Sequence, residues 1–139
     1  MNYSTKIKSL ERLKVASSHE VNNVFKSVWD DGTIELIEEF KIIVLNRSSI
    51  VLCIVNLASG GMASCVIDPK LIFLSAIKSG ASAVILAHNH PSANTKPSNQ
   101  DRILTRKIKD GGKLLDIKVL DHILMTSEGY LSFADEGLM

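Results

Sequence analysis

Cysteine is nearly absent: Cys53 and Cys65 are the only two in 139 residues. Both lie in apolar, strand-like segments without Cys-x-x-Cys spacing, so buried free thiols are expected rather than a disulfide framework or a zinc knuckle. No apolar run approaches the roughly 18 residues of a membrane span, and Met1-Asn2-Tyr3-Ser4-Thr5-Lys6 lacks the apolar stretch of a signal peptide. A cytoplasmic address without membrane contact is therefore expected. An excess of one charge is missing too. Sixteen Lys and Arg against fifteen Asp and Glu give a formal net charge of +1, short of the basic footprint of a duplex-binding domain. There are no repeats and no low-complexity stretches. The His-x-Glu and Pro-Cys-x-x-Cys segments of a zinc nucleobase deaminase are also absent, which sets that class aside.

What remains is an ordinary globular composition, 45% hydrophobic, suited to one compact domain with a single core. We place that domain at 15–139, behind a basic segment, 1–14, that carries Lys6, Lys8, Arg12 and Lys14. Ser17-Ser18-His19-Glu20 reads as a helix start; Val21, Val24, Phe25, Val28 and Trp29 repeat at helical spacing, and Asp30-Asp31-Gly32 closes the segment. Strands are predicted at 39–45 and 50–57 around a hairpin loop at 46–49, with a third at 62–67. Asp68-Pro69 opens a helix that ends near Gly80. A buried strand at 83–87, a helix from Ser98 to Asp110 stopped by Gly111-Gly112, and two late strands at 114–119 and 122–126 complete the pattern. This is an α/β domain with a mixed sheet. Hairpins make its first part antiparallel, and the helical crossing between 67 and 83 permits a parallel neighbour.

The chemistry concentrates in one stretch, His88-Asn89-His90-Pro91, followed by Ser98 and Asp101. In extended backbone, residues i and i+2 leave on the same face, so His88 and His90 can turn two ring nitrogens toward one metal ion while Asn89 faces away. Asp101 falls in the first turn of the next helix. Two histidines and a carboxylate are the ligand count of a catalytic zinc site that keeps one position for water. Ser98-Asn99-Gln100-Asp101 also approximates a capping box, which accounts for both the serine and the aspartate by itself. The other histidines fit blander roles: His19 a surface residue at a helix start, His122 a structural or supporting hydrogen bond.

His88-x-His90-x7-Ser98-x2-Asp101 resembles the JAMM signature of JAB/MPN metalloenzymes, and His88-Asn89-His90-Pro91-Ser92 with Pro97-Ser98 resembles their bacterial RadC branch. Glu38-x-Phe40, Leu45-Asn46, Val66 to Lys70, Leu115 and Asp121-His122-Ile123 extend the resemblance over roughly 15 to 137. It implies a three-layer fold with a curved mixed sheet flanked by helices. It also implies a zinc-dependent hydrolase of amide, peptide or isopeptide bonds, with His88, His90 and Asp101 on the metal. By the same resemblance, a glutamate from an upstream strand acts on the zinc-bound water as base and then as proton donor, and Ser98 supports the oxyanion. Register against Phe40 and Asn46 selects Glu38, with Glu39 the competing assignment. Alternation places Glu38 with Phe40, Ile42 and Val44 on one strand face and Glu39 with Lys41, Ile43 and Leu45 on the other.

Two positions depart from the RadC pattern. Lys70 replaces an arginine. Ala93 replaces a glycine, which implies a backbone that needs no positive φ there. A peptide or protein substrate is the expected partner. A second reading, a non-catalytic accessory module in DNA repair or mobile-element maintenance, finds its basic surface in Arg102, Arg106, Lys107 and Lys109, a set that a solvated helix face also explains.

Overall fold

A computed structural model describes residues 2–3, 13–60 and 67–139. The strand expected at 62–67 therefore falls, but for Ile67, outside the described residues, as do Cys65, Lys6, Lys8 and Arg12. In chain order the elements are β1 (Asn2–Tyr3), α1 (Ser18–Val28), β2 (Glu39–Leu45), β3 (Val51–Ser59), α2 (Pro69–Lys78), β4 (Ala83–Asn89), α3 (Asn99–Leu114), β5 (Lys118–Met125) and β6 (Tyr130–Ser132). The strands form one mixed sheet in the order β1-β3-β2-β4-β5-β6.

Local signals set the ends of the helices. Ser17 is extended and accepts the Glu20 amide hydrogen at 3.2 Å, which caps α1. Asp68 does the same for α2 through the Lys70 amide at 3.0 Å, with Pro69 at the first helical position and Gly80 at φ +66° beyond the end. The hairpin between β2 and β3 is held by Asn46, whose side-chain oxygen accepts from the amides of Ser48 and Ile50.

All seven residues of β2 and all seven of β4 are buried, because helices cover both faces of the sheet. Ile43, Leu45, Ile85 and Ala87 pack beneath α1 against Val21, Phe25 and Trp29. Ile42, Val44, Val84 and Leu86 pack on the other side against Ile72 and Ala76 of α2 and Ile108 of α3. The single core expected from composition is thus two apolar layers separated by the sheet. The expected α/β class and three-layer arrangement are observed.

Three expectations change. The crossing through α2 gives no hydrogen-bonded parallel neighbour: β4 lands beside β2 and antiparallel to it, since the outer edge of β3 is taken by β1. The parallel pair is β4 with β5, joined through α3. The two late strands are one continuous strand, β5, followed by β6. Its ladder with β4 shifts register where Val84 and Ile85 face Val119 and Asp121, leaving Leu120 as an extra residue. That bulge reverses the alternation of side chains, so it reads as a break in the sequence.

The third change concerns α3, which runs through Gly111-Gly112 to Leu114. Both glycines serve close packing. A Cβ on Gly111 would lie 3.1 Å from the Phe73 ring, and one on Gly112 would collide with the backbone oxygen of Ile117. Gly112→Ala is accordingly expected to lower unfolding stability by about 1–3 kcal/mol in denaturant titration, the usual range for forced overpacking.

Candidate metal centre

The alternation that buries Val84 and Leu86 beneath α3 continues to His88, which is 2% exposed and paired in register with Phe40 of β2. Its ring stacks on that of Phe40 at 6.1 Å. His90 follows immediately after β4. Asp101 is the third residue of α3, and Ser98 is its N-cap. The capping box is complete: Ser98 Oγ accepts the Asp101 amide at 3.0 Å, and Asp101 Oδ2 accepts the Ser98 amide at 2.9 Å. The same carboxylate also reaches the histidines. Asp101 Oδ1 is 3.3 Å from His88 Nε2, Oδ2 is 3.3 Å from His90 Nε2, and the two Nε2 atoms are 3.1 Å apart.

These separations are close to the roughly 3.3–3.4 Å between donors bound at about 2.0–2.1 Å around a tetrahedral zinc ion. The hydrogen-bond network then assigns the protons. Thr105 Oγ1 donates to the Asp101 carbonyl at 2.7 Å, so toward His122 Nδ1, 2.6 Å away, it can only accept. His122 is fully buried, and burial together with the neighbouring histidines depresses its pKa well below the ordinary value, so the ring is neutral. Its Nδ1 carries the hydrogen, and its Nε2 accepts from His88 Nδ1 at 2.7 Å. In the neutral His88 ring, Nε2 is thereby left with its lone pair. For His90, the Nδ1 hydrogen goes to the Asn94 carbonyl at 2.8 Å, which again leaves Nε2 bare in the neutral ring. Two lone pairs and a carboxylate thus face one another across little more than 3 Å, an arrangement that calls for a cation.

The electrostatics agree. Burial alone would raise the Asp101 carboxyl, but the protonated forms of the two histidines, whose Nε2 then donates to it, the charge of His88 and the Ser98 amide hold it well below the usual carboxylate range. His90 is raised, chiefly by its hydrogen bond to Asp101 and against the effect of burial.

Glu38 stands just ahead of β2, and its carboxylate lies with the ring nitrogens of His88 and His90 in a group within 4.8 Å that could hold a metal ion. Burial raises its pKa, while the two histidines pull it down. Glu39 is on the opposite face of β2, where it pairs with Lys41 at 3.2 Å and accepts from Thr33. His19 is exposed, with its Nε2 3.4 Å from the Asn23 side-chain nitrogen. Ser98 is exposed, and among the described hydrogen bonds its hydroxyl oxygen accepts while its proton is not used.

The sequence pattern did not point to Thr105 or to the way His122 supports the site. The bulge at Leu120 turns His122 to the His88 side of β5, between Phe40 and Phe133. Asn89 does face away from the cluster, yet it is fully buried and fully bonded. The expectation for Ala93 is overturned: its φ is +63°. The left-handed residue closes a turn in which the Ala93 amide donates to His90 O at 3.0 Å, and it curls the Asn94 carbonyl back onto the His90 ring. The strain is tolerated because that carbonyl fixes the imidazole.

A layered α/β fold brings two histidines and acidic groups together at the end of a central strand, in an arrangement that could hold a metal ion. The family comparison narrows it: residues 15–138 match the profile of the RadC-like JAB domain, and the chain belongs to that family. A UPF0758 protein of Flavobacterium johnsoniae is 44% identical over 101 residues, 73% of this chain and 44% of the relative. One from Staphylococcus haemolyticus is 37% identical over 127 residues, 91% of this chain and 54% of the relative. The chain spans about half the length of the curated relatives it matches.

Thr105→Val keeps shape and burial but removes the hydroxyl that orients His122. It is expected to weaken any divalent-metal binding at this site about 10- to 100-fold in competitive chelator titration. Ala93→Gly relieves the left-handed strain, partly offset by the entropy of the freer unfolded chain, and should raise stability by about 0.5–1 kcal/mol in a denaturation experiment.

Proposed function

We propose that the chain is a zinc-dependent hydrolase that cleaves an amide, peptide or isopeptide bond. The observation that carries this reading is the convergence of the two Nε2 atoms and the Asp101 carboxylate on one point. His88, His90 and Asp101 would hold the ion, an all-hard and borderline donor set that suits zinc. When bound, zinc supplies Lewis acidity and lowers the pKa of a water to about 7. The protein's own residues do the rest. Glu38, close to both histidines but farther out than Asp101, takes a proton from the attacking water at its carboxylate and returns it to the leaving nitrogen. Its raised pKa brings it nearer the range where one group can do both. Ser98, with its proton uncommitted among the described residues, donates to the oxygen that gains charge as the carbonyl is attacked.

A second reading, an accessory module that contacts nucleic acid, draws on a different place. A groove of about 1020 Å³ is lined by Arg47, Lys109, Lys113 and Lys118 against one acid, Asp116. Salt-steep binding of DNA by a metal-free protein would favour it.

The two are separated by metal content and by hydrolysis of peptide and isopeptide substrates. Glu38→Gln should keep its zinc and lose at least about 100-fold in turnover, the lower end of general acid–base contributions. His90→Ala should lose the zinc itself. A wild-type protein that takes up no zinc, or unchanged turnover in both variants, contradicts the hydrolase reading.

A further inference from the structure

The hydrogen-bond ladder between β2 and β4 ends at the pair Phe40 and His88, one residue short of Glu39 and two short of Glu38. Strands that part at this point would leave the Glu38 backbone unsupported on its β4 side. Instead the side chain of Asn89 takes the next rung. Its oxygen accepts the Glu39 amide hydrogen at 2.7 Å, and its nitrogen donates to the carbonyls of Ile37 and Ile34, both at 2.8 Å.

The Ile37 carbonyl belongs to the peptide group before the Glu38 Cα, and the Glu39 amide to the peptide group after it. One side-chain amide therefore holds both planes about which Glu38 can turn, and so fixes its φ and ψ together. On the far side, the Glu38 carbonyl accepts from the Gly60 amide at 2.7 Å. All the hydrogen-bonding capacity of the Asn89 oxygen and nitrogen that the structure uses is spent on residues 34 to 39. The side chain is also fully buried, where a lost partner is most costly.

We infer that Asn89 is the positioning residue for Glu38, setting the distance between its carboxylate and the two histidines by clamping the segment that carries it. The inference rests on reading Glu38 as the proton carrier. It gives the residue between the two histidines a task distinct from theirs: His88 and His90 face the donor cluster, and Asn89, on the opposite face, bonds the backbone on either side of the base. An amide is required because the segment offers one donor and two acceptors. A carboxylate lacks the donors, and an aliphatic residue has neither function.

The experiment compares the full chain with Asn89→Ala and Asn89→Asp. Amide hydrogen exchange reads the clamp: in Asn89→Ala the Glu39 amide should exchange about tenfold faster relative to that of Ile43 in the same strand. Zinc affinity should stay within about twofold, since Asn89 bonds to none of the donors. The ¹³C shift of the Glu38 carboxyl on adding zinc should be present in wild type and lost in both variants. Turnover on a peptide amide should fall about 100-fold with KM little changed, as expected when a reacting group is displaced by about 1 Å. Asn89→Asp keeps the bond to Glu39 but opposes the Ile34 and Ile37 carbonyls, and it carries the test where Asn89→Ala does not fold. A zinc-induced Glu38 shift that persists in both variants overturns the inference, and so does exchange that quickens equally throughout the chain. If zinc leaves Glu38 unperturbed in wild type, the hydrolase reading fails, while faster exchange at Glu39 still stands for the clamp.

Discussion

Three hydrogen-bond acceptors aimed at one point cannot coexist without positive charge between them, and the meeting of His88 Nε2, His90 Nε2 and the Asp101 carboxylate is the constraint on which this structure turns. Each acceptor is committed from behind. Thr105 and His122 hold the His88 tautomer, the Asn94 carbonyl holds that of His90, and the Ser98 amide anchors the carboxylate. A proton at His90 can relieve the repulsion in part, which is why its pKa rises. A divalent ion bound there would relieve it fully.

Parts of the fold follow from serving that point. The carboxylate that meets the histidines also caps α3, so the helix start and the site are built by the same hydrogen bonds. The bulge in β5 gives up one regular rung and in return turns His122 toward His88. Ala93 adopts a left-handed backbone at a position open to glycine, and Asn89, like His88, is a buried polar residue at the end of an apolar strand. These are local departures from the regular α/β pattern, and those at Asn89 and Ala93 adjoin the end of β4, as expected of strain kept for function.

Much of the frame was legible in the sequence because periodicity and capping are local. The Ser17 and Asp68 caps, the alternation in β2 and the apolar run of β4 each follow from residues a few positions apart. What could not be read depends on distant partners. Gly111-Gly112 looks like a helix stop until Phe73 and Ile117 are seen to press against it. The Leu120 bulge looks like a gap between two strands because alternation fails there. His88, His90 and Asp101 stand at a spacing that suggests a shared target, but Thr105, His122 and Asn89 act through contacts 17 to 55 residues away in sequence. Ala93 was misread because residue type alone argued against a left-handed backbone, and the benefit lies in the Asn94 carbonyl it delivers.

The preset lone pairs can be observed directly by long-range ¹H–¹⁵N correlation of the histidine rings at mildly alkaline pH, before and after adding zinc. The account predicts that His88 and His90 carry hydrogen on Nδ1 and none on Nε2 in the metal-free protein, and that zinc shifts both Nε2 resonances while both Nδ1 hydrogens remain. Hydrogen found on His88 Nε2, or ring resonances that zinc leaves unmoved, would contradict it.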